Sequence, residues 1–276
     1  MKITISSERE IAQKIGRTHG ELVCGGNSVF FEASGAGIPI VFIHDGLLHS
    51  KGFDRQFEFF KEHYTVIRYD RPGYGQSPPP VSAISDTTTL KDLLTQIGIE
   101  KAILIGGSAG GRIVLDFAVA HSNMVHAIVL VGPALSGFEF TEHMWYRGWR
   151  NKWGDTIEEM ISFWENDPWL ISQENVNAKR FFRDTLLASQ TNLKNYEVEN
   201  LDEVQAINHL SEIGMPVLVM IGESDIADNH SIAGIIQNGI PDAQRVIVTQ
   251  SGHLVYVEQP EKFNKLMGEF LEKLAT

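Results

Sequence analysis

The sequence contains a single cysteine, Cys24, among its 276 residues. No intrachain disulfide can form, and no cysteine pair is available for a structural zinc or redox site. The His-Glu-x-x-His pattern, which places two zinc-binding histidines on one helix, is also absent. We therefore expect neither a bound metal nor a cofactor, and we interpret Cys24 as an ordinary strand residue.

Long apolar runs and positive charge are also scarce. No stretch approaches the ~18 apolar residues that a membrane-spanning helix needs, and residues 1–10 have no apolar core of signal-peptide length. The 23 Lys and Arg are outnumbered by 35 Asp and Glu, which gives a net charge of −12. Such a balance argues against nucleic acid and anionic membranes as partners. We expect a soluble, cytoplasmic protein.

Patterns typical of buried strands and of helices alternate along most of the chain. The last helix, for example, places Phe263, Met267 and Phe270 on one face. This alternation predicts an α/β fold with a mostly parallel sheet and helices on both sides. Strands are predicted at 39–43, 64–69, 101–106, 125–131, 216–221 and 245–248, preceded by two short strands within 20–33.

Residues 134–210 break this alternation, because they show a helical pattern and no buried strand. All five tryptophans fall there: Trp145, Trp149, Trp153, Trp164 and Trp169. We predict a helical cap at 134–210, inserted into a core formed by 1–133 and 211–276. Trp145 and Trp149 are predicted to contact substrate, because ligand sites are rich in aromatic residues where subdomains meet. The alternative is that the aromatic residues only pack the cap against the sheet.

A Gly-x-Ser-x-Gly motif spans Gly106 to Gly110, between a predicted strand and a helical pattern at 112–118. A serine between a strand and a helix lies on a sharp turn, and small flanking residues avoid clashes with the neighbouring backbone. Its hydroxyl is then exposed beside a helix N-terminus, where free N–H groups favour negative charge. The motif predicts that Ser108 is a nucleophile.

A nucleophilic serine needs a base, and the base needs a group that orients it. Among ten histidines, His253 is singled out because it follows a strand and so lies at the same sheet edge as Ser108. Asp225 follows the strand 216–221, and Glu223 is its close competitor. The chain order serine, acid, histidine is that expected for a strand–serine–helix elbow.

The negative charge of a tetrahedral intermediate requires N–H donors. We assign one donor to the backbone of Ala109 and the second to Gly46, in the loop after strand 39–43. Leu47 is the alternative donor and a predicted substrate contact, and His44 is expected to brace the loop by hydrogen bonds.

The glycine-rich segment 106–111 does not match a nucleotide-binding loop. It lacks both Gly-x-Gly-x-x-Gly spacing and the lysine of a phosphate-binding loop.

With these motifs the chain resembles the α/β-hydrolase superfamily over nearly all of residues 20–275. The resemblance includes the elbow at 106–111, the loop 44–46, the turn 70–77, and the segments 222–225 and 251–253. Asp45 stands where the family usually has glycine, and Pro72 replaces a usual arginine. The resemblance implies the capped, cofactor-free group, which includes carboxylesterases, enol-lactonases, carbon–carbon bond hydrolases and non-haem haloperoxidases.

We therefore expect a serine hydrolase that cleaves small carboxylic esters or lactones through an acyl-enzyme. Two alternatives remain open. The same triad can hydrolyse a carbon–carbon bond of a diketone, and some members of the superfamily are small-molecule receptors with a slow triad.

Overall fold

The computed structural model describes residues 18–141, 153–193, 199, 201, 202 and 204–274. Within these residues a single sheet has eight strands, and their bounds lie close to the predicted runs. They are β1 (Thr18–Cys24), β2 (Asn27–Ser34), β3 (Pro39–Ile43), β4 (Thr65–Tyr69), β5 (Ala102–Gly107), β6 (Val125–Val131), β7 (Val217–Gly222) and β8 (Ala243–Val248).

The strand order is β1-β2-β4-β3-β5-β6-β7-β8. β1 and β2 pair antiparallel, as do β2 and β4, whereas all pairs from β4 to β8 are parallel. Six strands therefore end at one edge of the sheet, which is where parallel sheets form their sites.

The helices fill the connections between strands and cover both faces of the sheet. They are α1 (Asp54–Phe60), α2 (Asp86–Gln96), α3 (Ala109–Ala120), α4 (Ile157–Glu165), α5 (Val176–Ala188), α6 (Ala227–Gly239), α7 (Val255–Glu258) and α8 (Pro260–Leu274). The predicted α/β-hydrolase fold is confirmed.

The hydrophobic core consists of two clusters, one on each face of the sheet. Side chains alternate along a strand, so Val41 and Ile43 of β3 enter one cluster, and Ile40 and Phe42 enter the other. These side chains are fully buried, which explains why the strand sequence is an unbroken apolar run.

Between β6 and β7 the described residues form helices and short 3₁₀ turns, and no strand. Trp164 of α4 is buried and packs edge-on against Trp153, with ring centroids 5.1 Å apart. Trp145 and Trp149 lie outside the described residues. The boundary of a separate cap at 134–210 stays a prediction. None of the helices in the described part of the chain is long and apolar enough to cross a membrane.

Candidate active site

Ser108 lies on a strained turn between β5 and α3. Its backbone has φ 49° and ψ −112°, and positive φ is uncommon for a residue with a side chain. The turn is held by its surroundings, since the Ser108 N–H donates to the Val131 carbonyl at 2.9 Å and its carbonyl accepts from Gly111 at 2.9 Å. Strain of this kind is typical of functional sites.

The close approach of α3 to β3 explains the glycine two residues after Ser108. A Cβ at Gly110 would lie 2.2 Å from the carbonyl oxygen of Ile43, which is far inside van der Waals contact. The first turn of α3 therefore packs directly on the end of β3. This contact brings Ser108 beside the loop that begins at His44.

His253 and Asp225 form a hydrogen-bonded pair. The distance from His253 Nδ1 to Asp225 Oδ2 is 2.8 Å. The Asp225 side chain is 1% exposed and that of His253 is 14% exposed. A carboxylate can only accept a hydrogen bond, so the neutral imidazole carries its proton on Nδ1 and donates it to Asp225. The other ring nitrogen, Nε2, therefore keeps a free lone pair.

The second oxygen of Asp225 is held by two other donors. Asp225 Oδ1 accepts from the Ile226 N–H and from the Asn229 side-chain amide, each at 2.8 Å. Asn229 is buried, and its amide nitrogen also lies 3.0 Å from His253 Nδ1. These donors fix the carboxylate plane and direct Oδ2 toward the histidine.

The end of β6 joins the serine to the histidine pair. The Ser108 N–H donates a hydrogen bond to the carbonyl of Val131. The residue after Val131 is Gly132, which has φ +50°. A Cβ at Gly132 would lie 2.8 Å from His253 Nδ1 and 3.1 Å from Asp225 Oδ2. One short backbone segment therefore contacts all three predicted triad residues.

The two predicted N–H donors for an oxyanion are neighbours. A Cβ built on Gly46 would lie 3.9 Å from the Cβ of Ala109, and both residues are half-buried. The N–H of Leu47, the alternative donor, already donates to Asp45 Oδ1 at 2.6 Å. This contact favours Gly46 over Leu47 as the donor.

His44 is fully buried and lies below this loop. Its Nε2 accepts from the Arg71 N–H at 3.0 Å, so its proton resides on Nδ1, which donates to the Asp45 carbonyl at 2.8 Å. Burial, followed by the charge of Arg71, lowers the pKa of His44 to about 3. The imidazole is therefore neutral and braces the loop.

Asp45, where the resemblance led us to expect glycine, organises the same loop. Its carboxylate accepts from the N–H groups of Leu47 and Leu48 at 2.6 and 2.8 Å and from the Tyr256 hydroxyl. Burial, followed by the Asp45 charge, holds the pKa of Tyr256 well above its ordinary value, so the phenol keeps its proton. The ring of Tyr256 stacks on Phe53 with centroids 4.1 Å apart.

Glu223, the competitor of Asp225, takes a different place. Glu223 is exposed and accepts from the Gln250 N–H at 3.2 Å. Among the described residues of 134–210, Trp169 contacts the pair through its backbone, since its carbonyl accepts from the His253 N–H at 2.8 Å. The Trp169 residue is 40% exposed. The sequence had pointed instead to Trp145 and Trp149 as substrate contacts.

Comparisons with known proteins identify the family. A sequence model of the alpha/beta hydrolase family matches residues 40–266. The chain belongs to this family. One relative, a putative 2-succinyl-6-hydroxy-2,4-cyclohexadiene-1-carboxylate synthase of Bacillus subtilis, is 27% identical, over 76% of this chain and 81% of the relative.

Another relative of this alpha/beta hydrolase is the 2-hydroxy-6-oxo-6-phenylhexa-2,4-dienoate hydrolase of Comamonas testosteroni. It is 25% identical, over 89% of this chain and 91% of the relative. Among solved structures, a thermophilic esterase of Thermogutta terrifontis superposes with a TM-score of 0.77 at 21% identity, covering 94% of this chain and all of the other. That likeness is one of fold.

Proposed function

We propose that this alpha/beta hydrolase cleaves small carboxylic esters or lactones with Ser108 as nucleophile, His253 as base and Asp225 as the orienting acid. The observation that carries the proposal is the 2.8 Å pair of His253 and Asp225 beside the strained turn of Ser108. No residue of this arrangement requires a metal or a cofactor for the chemistry.

In the first half of the reaction, Ser108 Oγ attacks the carbonyl carbon and its proton passes to His253 Nε2. The carbonyl oxygen becomes an oxyanion that accepts from the N–H groups of Ala109 and Gly46. The C–O bond to the leaving group then breaks, and the imidazolium returns its proton to the departing alcohol. The acyl group is now an ester of Ser108.

In the second half, a water molecule gives one proton to His253 and attacks the acyl carbon. The intermediate collapses to the free carboxylic acid, and the proton returns to Ser108. Asp225 stays ionised throughout and stabilises the imidazolium that forms twice in each cycle.

A panel of p-nitrophenyl esters of increasing acyl length tests this proposal, with a lactone and a vinylogous diketone acid alongside. We expect ester turnover, with kcat/KM rising about fourfold per methylene, because a buried methylene contributes about 0.8 kcal/mol until the pocket is full. Esters left intact while the diketone is cleaved would instead favour carbon–carbon hydrolysis; the Comamonas relative is named as the hydrolase of a 6-oxo dienoate. No turnover of any substrate would contradict an enzymatic role.

The acid limb of the pH profile tests the base. His253 must be neutral to accept the serine proton, so kcat/KM is expected to fall as pH is lowered and the imidazole gains a second proton. His44 cannot produce that limb, because its pKa of about 3 keeps it neutral there. A profile that stays flat down to about pH 4 in a folded enzyme would exclude His253 as the base.

A further inference from the structure

The Gly46 N–H belongs to the peptide unit that joins Asp45 to Gly46. Peptide units are planar and trans, and none of the described bonds is cis. The carbonyl oxygen of Asp45 therefore points opposite to the Gly46 N–H. Whatever holds that carbonyl also sets the direction of the N–H.

Two buried donors hold the Asp45 carbonyl. Arg71 Nη2 donates to it at 2.6 Å, and His44 Nδ1 donates at 2.8 Å. Arg71 is 8% exposed and follows β4, 26 residues from Asp45. Because one of the donors is a guanidinium, the hydrogen bond is charge-assisted and stronger than a neutral one.

The guanidinium is itself held in place. Its carbon lies 4.5 Å from the centroid of the Tyr74 ring, and the Tyr74 hydroxyl donates to the Gly46 carbonyl at 3.2 Å. Burial works to lower the pKa of Arg71, but Tyr74, Asp86 and other acidic neighbours outweigh it and raise the pKa. Arg71 therefore keeps its charge behind the loop.

That charge has two electrostatic consequences. A cation at the carbonyl polarises the peptide unit and makes its N–H a stronger donor, since linked hydrogen bonds reinforce one another at low dielectric. It also offsets the carboxylate of Asp45, which would otherwise oppose negative charge developing next to Gly46.

We propose that Arg71 is a positioning residue of this hydrolase, which orients and polarises the Asp45–Gly46 peptide so that the Gly46 N–H stabilises the oxyanion. The inference rests on the proposed function. It assigns Arg71 a task that no contact with substrate would reveal, because the side chain acts from the far side of the loop.

The test compares Arg71→Met and Arg71→Lys with the wild type on p-nitrophenyl acetate and on phenylboronic acid, which forms a tetrahedral, anionic adduct with a nucleophilic serine. We expect Arg71→Met to lower kcat by about 10- to 100-fold, because a misdirected oxyanion donor loses much of its effect. Boronate affinity should fall by the same factor, whereas KM and the acid limb of the pH profile stay unchanged. Arg71→Lys keeps the cation, so its kcat and its boronate affinity should each fall by only about threefold to tenfold.

Arg68→Lys is the matched control. Arg68 is also a buried arginine, but it pairs with Glu32 and Asp54. Its variant should lower thermal stability yet leave kcat and boronate affinity of the folded enzyme within about twofold of wild type.

The outcomes separate the inference from the proposed function. If the wild type neither cleaves the ester nor binds the boronate, the proposed function and the inference about Arg71 are both wrong. If the wild type does both and the folded Arg71 variants do so equally well, the inference alone is wrong. The inference is also wrong if Arg68→Lys lowers boronate affinity as much as Arg71→Lys does. Should Arg71→Met fail to fold, Arg71→Lys decides by the same criteria.

Discussion

Replacing Ser108 with alanine is expected to lower ester turnover by roughly a millionfold, the scale seen when the nucleophile of a triad is removed. The loss is large because the acyl-enzyme can no longer form and no other group takes its place. The protein should stay folded, since the hydrogen bonds that hold this turn come from the Ser108 backbone. Alanine retains that backbone, and kcat together with a thermal melt measures both effects.

A fluorophosphonate probe supplies an independent check on the nucleophile. It should label the wild type at Ser108 and leave the Ser108→Ala variant unlabelled. Ser85→Ala is the control serine, because Ser85 caps the N-terminus of α2 through the Thr88 N–H. That variant should lose about 1 kcal/mol of stability with labelling unchanged. Labelling at a serine other than Ser108 would contradict the assignment.

The fold was predictable because its signals are local. The inner parallel strands β3, β5 and β7 are buried on both faces, so each is an apolar run such as Pro39–Ile43. The elbow is also local, since a strand, a serine between glycines and a helix follow one another within residues 102–120. Strand direction then places the segments after β5, β7 and β8 at one edge, which is how Asp225 and His253 could be singled out.

The supporting contacts were not predictable, because their partners are distant in sequence. Tyr256 donates to Asp45, 211 residues away, and neither residue has a local pattern that indicates the other. Arg71 looked like part of a turn motif, and only the structure shows what its guanidinium contacts. Asn229 had a usable signal, since it lies in the first turn of α6, only four residues after Asp225.

The surroundings of Asp225 predict what an asparagine at that position would do. Oδ1 accepts from the Ile226 N–H and the Asn229 amide, both at 2.8 Å. An asparagine introduced there must therefore keep its amide oxygen at the Oδ1 site, since an NH₂ group in that place would face two donors. Its NH₂ group then points at His253 Nδ1, which can only accept from it. The imidazole proton is forced onto Nε2.

Asp225→Asn is therefore expected to lower kcat by about 10⁴-fold through the wrong tautomer of His253, with little change in thermal stability. Nitrogen NMR of the labelled imidazole reads the tautomer directly, and a proton still on Nδ1 in the variant would contradict this explanation. Glu223→Gln is the matched control, because Glu223 contacts the Gln250 N–H and not the histidine. Its kcat should stay within about twofold of wild type. If Glu223→Gln costs more than Asp225→Asn, Asp225 is not the residue that orients the base.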